Sequence, residues 1–438
     1  MDGKFKVPPY VAEILKKLEE NGFQAYVVGG AVRDYFLNVP AKDYDIATDA
    51  KEEEIRSLFP YVIEVDPEHG TSLVHMGKDE NAEVTSFRGK DPHSLEEDLL
   101  RRDFTVDSVA WSPKTSFVFA PRAKEDLQNG ILRANGNALD RFEEDPLRIL
   151  RGIRLSGEKK LALEGKTQDA MNLLAEEVRK AAPERIGSEF RKMIVLENSD
   201  GLIRENLNVF FAFIPELKPC RNFNQRSKWH QFDVLEHLLH TLKAVSPRKE
   251  ALCFAALFHD ISKPETFFVQ NGEGHFYTHP EKGALKTKKI MTRLRYPNEL
   301  VDETVFLVER HMFEIEKAKT VRRYLYLYGK EWMEDLISLR EADIRGTRDK
   351  KLGKIPFVEA LRNSLRSVDL KKEGILKNSL KIGGDDLKKL GMEQGRELGD
   401  LLKEIRMKVV DQELPNDRDA LLRYAEKRIL EKKKIGNE

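Results

Sequence analysis

The chain has 438 residues, more than one ordinary core holds, so several domains are expected. Lysine plus arginine and aspartate plus glutamate number 75 each, which excludes a protein that is basic throughout and makes any nucleic-acid groove a local feature. Cys220 and Cys253 match no metal spacing, no apolar run approaches membrane-spanning length, and Met1–Val7 lacks a signal-peptide core, so a cytoplasmic protein with no membrane partner is expected.

Val7–Asn21 is predicted to be an amphipathic helix, with Val11, Ile14, Leu15 and Leu18 as its stripe and Asn21–Gly22 as its stop. The stretch Val27–Ala50, VVGGAVRDYFLNVPAKDYDIATDA, carries the first chemistry. Tyr26–Val28 reads as a buried strand, Gly29–Gly30 begin a turn, and Ala31–Leu37 is helix-compatible with Arg33 and Asp34 in its first turn. Lys42–Ala47 reads as a second strand, whose alternation puts Asp43 and Asp45 on one face and Tyr44 and Ile46 on the other. Two carboxylates a strand-step apart are costly without a cation between them, and magnesium is the usual one beside phosphate. Gly29 and Gly30 lack a Cβ, so their backbone approaches a triphosphate closely. A phosphate cradle with metal-holding carboxylates is the minimum for nucleotidyl transfer. Two surface aspartates after a tight turn are the alternative.

Lys51–Phe59 is a short helix, and Tyr61–Val65, Thr71–Met76 and Ala82–Phe87 read as strands, so residues 1–125 form a mixed sheet with helices. Ser94 with Glu97 makes a capping box for a helix to Arg102. RRDFTVDSVAW, Arg101–Trp111, opens on adjacent arginines that suit a triphosphate or ribose, or form a surface pair held by Asp103. Further on, Asp145 is an N-cap with Pro146 at the first helical position. Arg148, Arg151 and Arg154 then lie along one helix side, where they repel unless an anion faces them. They form either a solvated face or a nucleotide site. In the second case Asp145 and Arg148 offer an acceptor and donors to a base edge, and the later arginines face phosphates. Thr167–Arg179 and Pro183–Leu196 read as helices, the latter with Glu184 and Arg185 in its first turn.

From Trp229 the chemistry changes. His237, His259–Asp260, His279, His311 and Asp343 recur in helix-like or loop segments, and His with Asp suits a borderline or hard divalent metal. His259–Asp260 follows the apolar run Ala251–Phe258 and so emerges from the end of a buried helix. Asn271–Gly272 marks a hairpin within Phe267–Tyr277. Lys351–Glu438 is helical with a modest basic bias, which suits an RNA backbone or a solvated tail.

These motifs together resemble the bacterial class II tRNA nucleotidyltransferases, the group that also contains bacterial poly(A) polymerases. VVGGAVRDYFL with DYDIATDA, then RRDFT, RFEEDPLRILRGIRLS and PERIGSEF, fit the family's motifs in order and spacing. The resemblance implies an α+β nucleotidyltransferase head, residues 1–125, followed by all-α parts: a neck (126–222), a body (223–350) and a tRNA-binding tail (351–438). It implies that Gly29, Gly30 and Arg33 bind the triphosphate, that Asp43 and Asp45 hold Mg2+ and activate the RNA 3′-hydroxyl, and that Arg102 reaches ribose or phosphate. Asp145 and Arg148 would template C or A, and Arg151 and Arg154 would complete the pocket. The implied partners are tRNA, CTP and possibly ATP; no oligomeric state is implied. WHQFDVLEH, FHDISKPET, HFYTHPEKGA, ERHM and EADIRG resemble the HD phosphohydrolase domain fused to some members. That implies a divalent metal on His237, His259, Asp260, His279, His311 and Asp343, and hydrolysis of phosphomonoesters or 2′,3′-cyclic phosphates.

Three departures stand out. Arg88–Ser94 is much shorter than the family's flexible loop, which the switch to the final A requires, and a short loop marks enzymes that stop after CC. FVFAPRAKEDL lacks the usual Asp-Pro and Gly-Gly, and Asp107 replaces the usual Asn. A CC- or CCA-adding enzyme is therefore expected, with poly(A) polymerase, a metal phosphohydrolase and an RNA-binding scaffold as alternatives.

Overall fold

A seven-stranded mixed sheet carries the amino-terminal chemistry in the computed structural model, which describes residues 5–66, 70–78, 80–226, 232–312, 318–347, 353–367 and 379–435. Helix α1 (Pro9–Glu20) buries the expected Val11, Ile14, Leu15 and Leu18. Strand β1 (Ala25–Val28) stops where Gly29 turns to a φ of 65°, and α2 (Gly30–Phe36) starts at once. Strand β2 (Asp45–Thr48) returns, α3 (Glu52–Leu58) follows, and β3 (Val62–Asp66), β4 (Thr71–Gly77) and β5 (Glu80–Ser86) form an antiparallel meander. After α4 (Leu95–Arg101) come β6 (Val109–Ser112) and β7 (Ser116–Phe119). The strand order is β3-β4-β5-β2-β1-β6-β7, and β2–β5 is its parallel pair. Val28, Ala47, Phe87, Leu99, Ala110 and Ala120 form one buried cluster, which packs α4 on the central strands.

The strand expected over Lys42–Ala47 begins only at Asp45. Val28 pairs with Asp45, and the turn at Gly29 removes the partner backbone for anything earlier. Asp43 therefore stands ahead of the strand, exposed.

Helices α5 (Ala123–Asn129), α6 (Ala138–Glu144), α7 (Leu147–Lys159), α8 (Gly165–Leu173), α9 (Pro183–Ile194), α10 (Ser199–Glu205) and α11 (Leu207–Phe213) complete a unit that ends at Pro215. The helix expected to run from Thr167 to Arg179 breaks at Leu174 into a 3-10 segment, Ala175–Lys180. Three residues per turn place Ala175 and Val178 on the same buried side.

The second unit, Glu216–Glu438, is helical apart from one hairpin among the described residues. Asp233 caps α12 (Val234–Ala244), accepting from the Glu236 N–H. Helix α13 (Glu250–Phe258) buries every residue from Ala251 to Phe258, as expected for an apolar run between other helices. After α14 (Lys263–Thr266), strands β8 (Phe268–Gln270) and β9 (Glu273–His275) turn through Asn271 and Gly272, both at positive φ, as the hairpin signal requires. Helices α15 (His279–Arg293), α16 (Asn298–Arg310), α17 (Ala318–Gly346, kinked at Gly329) and α18 (Ile355–Ser367) surround α13 or follow it. The closing helices α19 (Gly384–Lys389), α20 (Arg396–Val410) and α21 (Arg418–Ile435) share a core of Leu387, Leu401, Ile405 and Leu421. Residues 229–231, which open the WHQFDVLEH motif, lie outside the described residues.

Glu303 on α16 is half-buried beside Asp335 of α17, and burial followed by Asp335 pushes its carboxyl up to about 7. The folded chain holds a proton there that the unfolded chain releases near 4.5, so stability falls as pH rises through that window. With solvent screening the effect is about 1 kcal/mol. Glu303→Gln is expected to raise the melting temperature by about 2–4 °C at pH 8 and not at pH 4.5, measured by calorimetry.

Candidate active site and candidate metal centre

The turn after β1 brings backbone, carboxylate and guanidinium together. A Cβ at Gly29 would lie 2.9 Å from Arg102 Nη1 and 3.8 Å from Asp45 Oδ2. The parallel register sets Asp45 beside Glu83, a carboxylate not singled out from sequence. Ala82 and Val84 are buried, which turns Glu83 outward. Burial, then Glu83, push the Asp45 carboxyl up to about 6, against the pull of Arg102 and with Asp43 adding to the rise. Glu83 beside it and Asp43 ahead of the strand both act on Asp45, which lacks enough positive charge nearby and so suits a hard divalent cation, but the three carboxylates are not gathered into one ligand group.

Arg102 is held by Asp98, which also accepts from the Arg88 N–H. The expected Asp103 pairing is not made by Arg102. Asp103 instead accepts from Arg148 Nε at 2.7 Å and pairs with Arg151 Nη1 at 3.0 Å. A cavity of about 340 Å3 is lined by Asp45, Glu83, Arg88, Arg101, Arg102 and Arg151 among others. A recess of about 230 Å3, sharing Asp45, Arg102 and Arg151, is lined by Gly29, Gly30, Arg33 and Asp107. Arg33 is buried and donates to Asp34 at 2.9 Å and to Asp107 at 2.6 Å. Asp107, the departure from the family motif, is thus the counter-ion of Arg33.

Helix α7 carries the expected arginine row, and protein carboxylates face it. Arg148 also donates to the Arg141 carbonyl and pairs with Glu144, while Arg154 donates to Glu189 at 2.6 Å. Asp145 accepts from the Leu147 N–H, as a cap does, and from Arg185 at 2.8 Å. Lys159 reaches back to Asp34 of α2 at 3.0 Å. Gly29, Gly30, Arg33, Asp45, Arg102 and Arg151 therefore share one joined recess. Arg148 adjoins it through Asp103, whereas Asp145 is tied to Arg185 and Arg154 to Glu189, both on α9.

In the second unit the six expected residues converge. His237, His259 and Asp343 form one buried group and Asp260, His279 and His311 another, with ligand atoms in each within 4.8 Å. Asp260 links them: its Oδ2 lies 3.3 Å from both His237 and His259, and its Oδ1 3.1 Å from His279. The Nδ1 atoms of His259, His279 and His311 lie 2.6–3.0 Å from the carbonyls of Ala256, Phe276 and Val308. Carbonyls only accept, so each Nδ1 carries a proton and Nε2 is the ring atom left to face a metal. The Nε2 atoms of His279 and His311 are 3.2 Å apart, a contact that repels unless a cation lies between them. Burial, reinforced by His259 and His279, pushes His311 down to about 4 and keeps it neutral, as a metal ligand must be. Against burial, Asp260 and Asp343 raise His237. The donor set fits divalent metal.

The head, a mixed sheet with carboxylates and an arginine-lined recess at the first turn, is that of a nucleotidyltransferase. A family model for the poly(A) polymerase head domain matches residues 25–133, and one for tRNA nucleotidyltransferase domain 2 matches 280–425. The chain is 31% identical to a CCA-adding enzyme of Streptococcus pneumoniae over 94% of this chain and 95% of that protein. It is 32% identical to one of Streptococcus sanguinis over 95% and 96%. Its structure is similar to that of the Bacillus stearothermophilus CCA-adding enzyme in complex with CTP, with TM-score 0.74 and 25% identity over 98% and 100% of the chains. It shares the fold of the Thermotoga maritima CCA-adding enzyme complexed with tRNA, with TM-score 0.57 and 20% identity over 97% and 96%. The chain belongs to the tRNA nucleotidyltransferase family.

Gly29→Ala is expected to lower kcat of nucleotidyl transfer about a hundredfold, because the left-handed backbone strains and the new Cβ displaces Arg102. Steady-state kinetics on protein of checked circular dichroism measure it.

Proposed function

We propose that the chain adds cytidines from CTP to the 3′ end of tRNA without a nucleic-acid template and stops after CC. The relatives are CCA-adding enzymes, one of them solved with CTP and another with tRNA. The observation that carries the limit to CC is the connection Arg88–Ser94. The Lys90 N–H donates to Glu97 Oε2 at 2.6 Å and the Arg88 N–H to Asp98. Gln24 donates to the His93 carbonyl at 2.9 Å. A short segment tied at both ends and in its middle has no slack for the movement that the final A requires.

Magnesium held by Asp43 and Asp45, with Glu83 beside them, would supply charge stabilisation for in-line displacement at the α-phosphorus. The RNA 3′-hydroxyl would give up its proton beside Asp43 and Asp45, its oxygen bonding to the α-phosphorus as the bond from that phosphorus to the pyrophosphate breaks. Gly29, Gly30 and Arg33 receive the triphosphate, and Arg102 offsets its charge. Arg151 and Arg154 extend the basic side of α7. Asp145 and Arg148 present acceptor and donors to the base edge, with Asp103 holding Arg148 in place.

Purified protein is given tRNA lacking its CCA end with CTP and ATP, and the 3′ termini are sequenced. Termini ending in CC are expected. Termini ending in CCA overturn the CC limit, and long A-tails overturn the function in favour of a poly(A) polymerase. Arg148→Ala is expected to reduce the preference for CTP over ATP by about tenfold or more, with tRNA affinity nearly unchanged. An intact preference rules out the template role.

A second activity is favoured by the paired ligand groups sharing Asp260: metal-dependent hydrolysis of phosphomonoesters or 2′,3′-cyclic phosphates. Elemental analysis is expected to find divalent metal on the purified chain that is lost in His259→Ala. Asp45→Ala should abolish transfer while phosphatase activity persists, and His259→Ala should do the reverse. Loss of both activities in either variant would contradict two independent centres.

A further inference from the structure

The pocket of the metal centre is roomier than a phosphate needs, and one end of it is aromatic. It encloses about 530 Å3 and is lined by His259, Asp260, His279, His311 and Asp343 on the ligand side. On the other side the hairpin β8–β9 and the residues after it contribute His275 and Tyr277. Their rings stack 5.4 Å apart at 26°, and Phe268 stacks on His275 at 5.5 Å and 28°. Tyr277 is 69% exposed and Phe268 40%. Phe268 also packs on Tyr277, at 5.3 Å and 47°, so it supports the stacked His275–Tyr277 pair, and that pair, with Tyr277 largely exposed, offers a π surface of the kind on which nucleobases stack.

The platform is anchored. The Gly274 N–H donates to the Arg226 carbonyl at 3.0 Å, and a Cβ at Gly274 would lie 2.3 Å from the Gln225 carbonyl oxygen. The Gln225 side chain in turn accepts from Lys263, whose Nζ lies 2.6 Å from Asp260. The hairpin is therefore held in register with the ligand group. Between the two ends the pocket is basic: Lys263, Arg340 and the exposed Lys354 line it. Phe276 also lines the pocket, with its ring under Lys263 at 5.3 Å. One end thus suits an anion, the other a planar ring, and a cavity of this size accommodates a nucleotide.

We propose that the hairpin is a base-stacking subsite and that the second centre takes a nucleoside phosphate with an unpaired base, its base against Tyr277 and His275 and its phosphate toward Asp260 and His279. Turnover of that ligand rests on the hydrolase reading above; the stacking does not. Calorimetric titration of the full-length chain compares 3′-AMP with ribose 5-phosphate, which has no base. Tyr277→Ala is expected to weaken 3′-AMP about tenfold and leave ribose 5-phosphate unchanged, and Tyr277→Phe to bind like the parent chain. Because the substitution lies in the second unit, the change isolates that site from the nucleotidyltransferase head. Unchanged 3′-AMP affinity in both Tyr277→Ala and His275→Ala overturns the proposal, as does equal weakening of both ligands. A trinucleotide RNA with a 3′-terminal phosphate distinguishes the source: tighter binding than 3′-AMP assigns an RNA end, equal binding a free nucleotide. If Tyr277→Ala weakens binding while no ligand and no glycerol 2-phosphate is hydrolysed with added Mn2+, the subsite stands and the hydrolase reading falls.

Discussion

Groups of like charge or facing lone pairs are held together at two places in this chain, and much of the surrounding structure serves to hold them there. In the head, Asp45 and Glu83 are neighbours because β2 and β5 run parallel in register. Asp45 cannot move away without breaking β2 from both β1 and β5. The repulsion is offset by Arg102, and Arg102 is aimed by Asp98, a buried residue of α4. In the second unit, Nε2 lone pairs face each other because carbonyls at the ends of α13 and α16, and before α15, hold the Nδ1 protons. Both arrangements are costly alone and become favourable when a cation enters.

The arginine row of α7 belongs to the framework as much as to the recess. Asp103 spans Arg148 and Arg151, Glu189 takes Arg154, and Asp34 takes Lys159. The helix is thus pinned to the segment that follows α4, to α9 and to α2. In the proposed template role, a base edge meeting Arg148 would find a guanidinium already oriented through Nε, with less rotamer freedom to lose.

Much of this was legible in the sequence because it is local. Periodicity set α1 and its four buried residues, Gly29–Gly30 marked the turn, and Asn271–Gly272 marked the hairpin. The six metal-type residues were recognised by kind, and the fold brought all six together. What escaped depends on pairing between distant segments. Glu83 meets Asp45 only through the parallel β2–β5 register, which no local pattern encodes. A surface pair held by Asp103 is one of two readings the sequence leaves open for Arg101 and Arg102; in the fold Asp103 pairs with Arg148 of α7, 45 residues on. Asp43 was placed in a strand because alternation continues through it; the strand ends when its partner ends, which depends on Gly29.

The proposed limit to CC rests on the connection after Arg88, where a few hydrogen bonds hold the backbone. Glu97 is the acid of the expected capping box, yet only half of the box forms. Ser94 accepts from the Glu97 N–H, while the Glu97 carboxylate turns to the Lys90 and Asp91 N–H groups. The side chain that would have closed the helix start instead closes the connection. A Cβ at Gly89 would lie 2.5 Å from that same carboxylate, so the segment is tight as well as short. The cost of extending such a loop grows only slowly with length, so a longer connection is thermodynamically tolerable, and its shortness here is not forced by the stability of the sheet. In the proposed reading the carboxylates and the length of the product are separable: Asp45 lies on a paired strand, whereas the limit would lie on backbone donors that Glu97 and Asp98 keep occupied.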